Sequence, residues 1–209
     1  LVQIGIGGSD LGPRALYLAL ERLGKKNLKA DFISNVDPDD FNQVLENIDL
    51  EATLFVVVSK SGTTQETLTN MELVKTKAQH LGISPANFNN QFIAVTSKGS
   101  PMDNNKKFLE VFYIDNFIGG RYSATSAVGG VMLSLVFGPD VFEQLLKGAS
   151  KIDEASKSPD IRTNMSLLAA LIGVWERNFL GYPTKAIIPY SEALVRFSAH
   201  LQQLDCESN

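Results

Sequence analysis

One cysteine and two histidines among 209 residues leave little material for covalent or metal staples. Cys206 has no partner for an internal disulfide, which fits a reducing cytoplasm, and this set of thiol and imidazole groups argues against a zinc site. Basic charge is also short: 19 Lys and Arg stand against 23 Asp and Glu, for a net charge of −4. Without a basic block, nucleic acid and anionic membrane are poor partners. No apolar run approaches the roughly 20 residues of a membrane span, and no secretory signal opens the chain. Fixed-period repeats and low-complexity tracts are lacking too. What remains is a globular composition, 44% hydrophobic and 20% charged, enough for one large domain or a domain plus part of another. The first residue, Leu1, lies inside an apolar strand-like run, and the last three are Glu207-Ser208-Asn209. The expectation is a piece of a longer protein.

Short apolar runs alternate with helical patterns, which predicts parallel α/β architecture. Strands are expected at 2–6, 30–34, 53–59, 92–96 and 111–114. The third contains Leu54, Phe55, Val56, Val57 and Val58 without polar alternation, as a central parallel strand covered on both faces should. Pro13 suits a first helical turn, followed by Leu16, Ala19, Leu20 and Leu23 on one face and Gly24 as a stop. Thr63 and Glu66 have capping-box spacing, with Leu68, Met71, Val74 and Ala78 forming the stripe behind them. Ala127, Val128, Val131, Met132 and Leu135 predict another buried helix. Past Gly138-Pro139-Asp140 the pattern turns mostly helical to about residue 180, with a polar break at 157–160. A strand at 185–190 and a helix over 191–204 then suggest a new α/β unit. The division expected is 1–140 for one domain, and 141–209 for a helical connector and the beginning of a second.

Four segments carry candidate chemistry. Gly5-Ile6-Gly7-Gly8-Ser9-Asp10-Leu11-Gly12 falls at a strand-to-helix turn, where glycines admit a ligand close to the backbone. It is not a dinucleotide fingerprint: the third glycine of G-x-G-x-x-G is Asp10, and Asp31 lies at the wrong end of its strand. Taken alone, the run is equally a tight turn with close helix packing. Ser59-Lys60-Ser61-Gly62-Thr63-Thr64-Gln65-Glu66-Thr67 is stronger, because hydroxyls, a glycine and a lysine cluster where the most apolar strand meets a helix N-terminus. It lacks the nucleotide P-loop order, so a monophosphate fits better than ATP. Gly119-Gly120-Arg121 can present a guanidinium to a ligand oxygen, although in isolation it reads as a surface arginine in a turn. His200, Gln203 and Glu207 share a helical stripe that is solvated unless the fold turns it into a cleft.

Together these blocks resemble the glucose-6-phosphate isomerase family over essentially the whole chain and in the family's order. Ile118-Gly119-Gly120-Arg121-Tyr122-Ser123 and Leu201-Gln202-Gln203-Leu204 with Glu207-Ser208-Asn209 carry most of that resemblance. It implies sugar-isomerase (SIS) domains: three-layer α/β/α sandwiches with a parallel, flavodoxin-like sheet, the first nearly complete here. It further implies that Ser59, Ser61 and Thr64 hold the sugar phosphate with Lys60 and Thr67 nearby, and that Gly8 and Ser9 line the sugar pocket. Arg121 would face the enediol intermediate, Gln203 would contact substrate, and Glu207 would be the base moving a proton between C2 and C1. The implied substrates are glucose 6-phosphate and fructose 6-phosphate, with no redox cofactor and no obligatory metal. The implied setting is a cytoplasmic homodimer whose active sites are completed across the interface, in glycolysis and gluconeogenesis.

Cys206 departs from the family, where Met is expected. The Gly-Lys expected after Asn209, and the family's later histidine and lysine, lie outside these residues; His80 and His200 do not match that histidine's context. These 209 residues alone are therefore expected to bind hexose phosphate weakly and turn over little. Two other readings are a non-catalytic sugar-phosphate-binding SIS module, which would not need Gln203 and Glu207, and an amidotransferase-associated isomerase domain, against which the 118–123 block argues.

Overall fold

A computed structural model describes residues 1–22 and 26–207. Five parallel strands form its sheet in the order β2-β1-β3-β4-β5: β1 (Val2–Ile4), β2 (Asp31–Ile33), β3 (Phe55–Val58), β4 (Phe92–Thr96) and β5 (Glu110–Tyr113). In chain order the helices are α1 (Leu11–Glu21), α2 (Pro38–Glu46), α3 (Gln65–His80), the short α4 (Pro85–Phe88), α5 (Ala127–Phe137), α6 (Pro139–Ala155), α7 (Met165–Val174) and α8 (Phe197–Cys206).

Side-chain alternation along β3 explains its lack of polar residues. Phe55 and Val57 join a cluster with Phe41, Leu45, Met71 and Val74 from α2 and α3, while Val56 and Val58 join one with Val128 and Val131 from α5. Both faces are covered, so every β3 side chain is buried and each contributes roughly 1.5–3 kcal/mol. Phe55 also stacks on Phe92 with ring centroids 5.0 Å apart. The edge strand β5 is different: Phe112 and Tyr113 are exposed.

The elements depart from expectation in four places. The buried residues of α1 are Gly12, Pro13, Ala15 and Tyr17, whereas Leu16, Ala19 and Leu20 are only half-buried. Tyr17 does what the leucines were expected to do, packing its ring 5.6 Å from Phe32 and 5.8 Å from Phe137. Leu23 and Gly24, the rest of the expected stripe and its stop, lie outside the described residues. Helix α2 was not anticipated, though its signals are local: Asp37 accepts from the Asp39 and Asp40 N–H groups, and Pro38 occupies the first turn. The expected strand over 185–190 is irregular chain instead, since a strand exists only through ladder bonds to a neighbour and, among the described residues, none pairs with it. Finally, the helix expected over 191–204 is split into a 3₁₀ turn at Glu192–Leu194 and α8.

By internal contacts the chain forms two compact units, Leu1–Pro139 with Pro189–Asn209, and Asp140–Ile188. The second holds most of α6, and α7 with a π turn at Trp175–Phe179 continuing it. Its Asn164 caps α7 by accepting from Leu167 N–H at 2.9 Å. The sheet and all the candidate residues belong to the first.

Candidate phosphosugar site

The chain leaves β1 toward β2 on one side and leaves β3 toward β4 on the other, so the β1/β3 border is a topological switch point. Crevices at such borders, outside the carboxyl ends of the strands, are where open α/β sheets bind ligands. Four loops meet there, following β1, β3, β4 and β5.

In the loop after β3, Ser59 is buried and its hydroxyl works within the loop. Its Oγ lies 2.8 Å from Thr64 Oγ1 and accepts from Gly62 N–H at 3.1 Å. Gly62 makes the turn at φ 68°, a conformation that costs glycine little. The expected Thr63–Glu66 capping box does not form: Thr63 Oγ1 donates to Ser61 Oγ at 2.9 Å, and Thr64 is the N-cap. Because the Thr64 hydroxyl is turned to Ser59, no side chain caps α3. The helix therefore keeps its first backbone N–H groups and its positive dipole end for another acceptor. Lys60 crosses to the loop after β5, donating to the Asn116 carbonyl at 2.9 Å and the Ile118 carbonyl at 2.7 Å.

A cavity of about 580 Å³ opens over this helix end, and Gly8, Ser9, Lys60, Ser61 and Thr64 line it. Ser59 and Thr67 are not in its wall; Thr67, in the first turn of α3, is buried with an unpartnered Oγ1. Ser97, Lys98, Gly99 and Ser100 also line the cavity, although none of them was among the candidates expected from the sequence. Their signal was present: hydroxyls, a lysine and a glycine directly after a buried strand repeat the composition of 59–62.

Gly120 closes the cavity and leads into the 3₁₀ turn Gly120–Thr125 that carries Arg121. Gly8 allows this arrangement, because a Cβ there would collide with the Gly120 carbonyl and crowd the Arg121 N–H at 2.8 Å. Arg121 Nη1 stands 3.8 Å from Glu207 Oε1 at the end of α8, and its guanidinium lies 4.9 Å over the Tyr122 ring. At that separation the ion pair is loose, and with Glu207 about half exposed it contributes little to stability. Gln203, one turn earlier, sets its Nε2 beside Gly7. The α8 stripe is therefore turned toward the glycine run rather than into solvent. Cys206 next to it is free and exposed.

Besides Thr67 Oγ1, three polar atoms of Arg121 and α8 are buried without a partner among the described residues: Arg121 Nε, Gln203 Oε1 and His200 Nδ1. Buried donors and acceptors of this kind carry a free-energy cost unless a ligand or water engages them, so a polyhydroxylated ligand suits the group. Burial holds His200 below the ordinary imidazole range, favouring the neutral ring. Burial likewise pushes the Asp10 carboxyl up, opposed by Arg14, whose Nε donates to it at 2.7 Å. Among the described residues, no cluster of three or more His, Cys, Asp or Glu is placed to hold a metal, and no helix is long and apolar enough to cross a membrane.

Known proteins are similar to this chain in sequence and fold. The family model for phosphoglucose isomerase matches residues 1–209. Glucose-6-phosphate isomerase of Treponema pallidum is 56% identical across the whole chain, and that of a Chlamydia trachomatis serovar L2 strain is 54% identical. The chain spans 39% of the length of each. A crystal structure of the Chlamydia trachomatis D/UW-3/Cx enzyme superposes with a TM-score of 0.95 at 53% identity, covering all of this chain and 40% of that one. A hypothetical protein from Thermus thermophilus superposes at 0.81 with 32% identity, covering 99% of this chain and 48% of its own. With its family model matched from end to end, the chain belongs to the phosphoglucose isomerase family.

Proposed function

We propose that these residues form the phosphate-binding part, and the base-bearing edge, of an aldose–ketose isomerase that interconverts glucose 6-phosphate and fructose 6-phosphate. The observation that carries the reading is the meeting of Arg121 and Glu207, from separate segments, directly after Gly120, which lines a cavity over an uncapped helix end. The phosphate sits over the α3 N-terminus, against Ser61 and Thr64, in a loop whose shape Ser59 maintains. Gly8 and Ser9 border the sugar, and Gln203 takes a sugar hydroxyl on its unused Oε1.

In the aldose-to-ketose direction, Glu207 accepts the proton from C2 beside the C1 carbonyl. The electron pair of that C–H bond forms the C1–C2 double bond of an enediolate, whose oxygen charge faces Arg121. The proton then returns to C1, the C2 hydroxyl gives up its proton as C2 becomes the ketone, and the C1 oxygen takes a proton up to become the hydroxyl. One carboxylate serves both transfers, and a fixed cation lowers the energy of the intermediate. The other acid–base groups come from outside these residues, and these 209 residues alone bind hexose phosphate with little turnover.

In the intact protein, Glu207→Gln removes the base while keeping size and polarity. A coupled isomerase assay should show kcat lower by about 10²–10⁴-fold, with hexose phosphate still bound. Undiminished turnover in that variant rules Glu207 out as the base, whereas a wild type that binds hexose phosphate without any turnover leaves only a sugar-phosphate-binding module.

A further inference from the structure

Two lysines reach the cavity, and they differ in what engages them. Lys60 spends two of its three N–H groups on the Asn116 and Ile118 carbonyls. Among the described residues, nothing forms a hydrogen bond or ion pair with the Lys98 ammonium. The carboxylate that feels its charge, Asp103, is committed elsewhere: Oδ2 accepts from Gly99 N–H at 2.8 Å and Oδ1 from Tyr113 OH at 2.9 Å.

The turn that carries Lys98 is braced against the phosphate loop. Ser97 N–H donates to the Lys60 carbonyl at 3.0 Å, and Thr96 Oγ1 donates to the Ser59 carbonyl at 2.7 Å. Ser100 Oγ lies 2.7 Å from Thr96 Oγ1 and stands so close to Gly62 that a Cβ there would meet it at 2.8 Å. Lys98 is thus a flexible cation on a fixed base, lining the same cavity as Ser61 and Thr64. Lysine acts on phosphate as a point charge, and a cation at a cavity wall raises local anion concentration over a Debye length.

We infer that Lys98 is the second cation of the phosphate site, a specificity-determining residue that favours a phosphorylated sugar over the neutral one. This assignment rests on the phosphosugar reading above. The test is calorimetric titration of the intact protein, as wild type, Lys98→Met and Lys98→Arg, with glucose 6-phosphate and with inorganic phosphate, at low and high salt. Lys98→Met should weaken both ligands by about two- to fivefold at low salt, with the loss shrinking at high salt and Lys98→Arg restoring affinity. In isomerase kinetics the same variant should raise KM and leave kcat unchanged. Equal affinity of wild type and Lys98→Met at low salt overturns the assignment alone, as does an equal loss in Lys98→Arg. A wild type that binds neither ligand overturns the phosphosugar reading and Lys98 with it.

Discussion

Helices α5 and α7 are near equals in sequence and opposites in burial. AVGGVMLSLVF and MSLLAALIGV are both apolar on every side, without a charged residue. Eight of the eleven α5 residues are buried, and none of the ten in α7. A helix apolar all round is one made to be covered. For α5 the sheet supplies that cover through Val56, Val58, Ile93 and Val95. Around α7, Leu168, Leu171, Ile172 and Trp175 stay exposed among the described residues. Apolar periodicity thus reports a demand for burial, and the partner that meets the demand is a separate matter.

Substitutions can break or sharpen this contrast. Met132 is fully buried in α5, and Met132→Ala should cost about 2–5 kcal/mol in denaturant unfolding, through lost transfer energy and the cavity left behind. A loss under 1 kcal/mol would mean that α5 is no more committed than α7. A smaller effect should come from His200, which belongs to the same unit as α5. Its folded pKa lies below the ordinary 6.5, so the unfolded chain takes up the proton first as pH falls. Stability is therefore at its full value above about 6.5 and declines below it, through the lowered folded pKa. Thermal melts should show this decline in the wild type and a flatter profile in His200→Asn; matching slopes would remove His200 as the cause. The smallest effect is expected at Leu171, where Leu171→Gln in these 209 residues should change stability by no more than about 0.5 kcal/mol. A cost there comparable to that of Met132→Ala would erase the distinction between the helices.

The sheet was legible because a central parallel strand leaves a local trace. Phe55–Val58 are apolar at consecutive positions, and that pattern has few other uses. The cavity wall was partly legible for the same kind of reason. Gly8, Ser9, Lys60, Ser61 and Thr64 stand at strand ends next to helix starts, where short hydroxyls and glycines serve anions. The 97–100 turn has the same composition but no helix behind it, so its sequence lacks the helix-start signal that marks 59–67. The capping of α3 departs from its spacing because Thr63 and Thr64 are chemically alike. Spacing favoured Thr63, but the hydroxyl of Ser59, a residue five positions earlier, draws Thr64 away from the helix. The expected strand at 185–190 failed for a related reason, since apolar residues there have no ladder partner.

By itself the sequence determined the alternation of strands and helices, the burial of β3 on both faces and the chemical type of each loop at the sheet's carboxyl edge. These follow from periodicity and local backbone preferences, which act over a few residues. Only the tertiary structure decided which of those residues meet. It joined Arg121 to Glu207 from positions 86 apart, drew Lys60 onto the Asn116 and Ile118 carbonyls, and left Lys98 uncommitted in the wall of the same cavity. Such pairings depend on strand order and helix docking, and distances between remote side chains are set by packing that no local pattern contains.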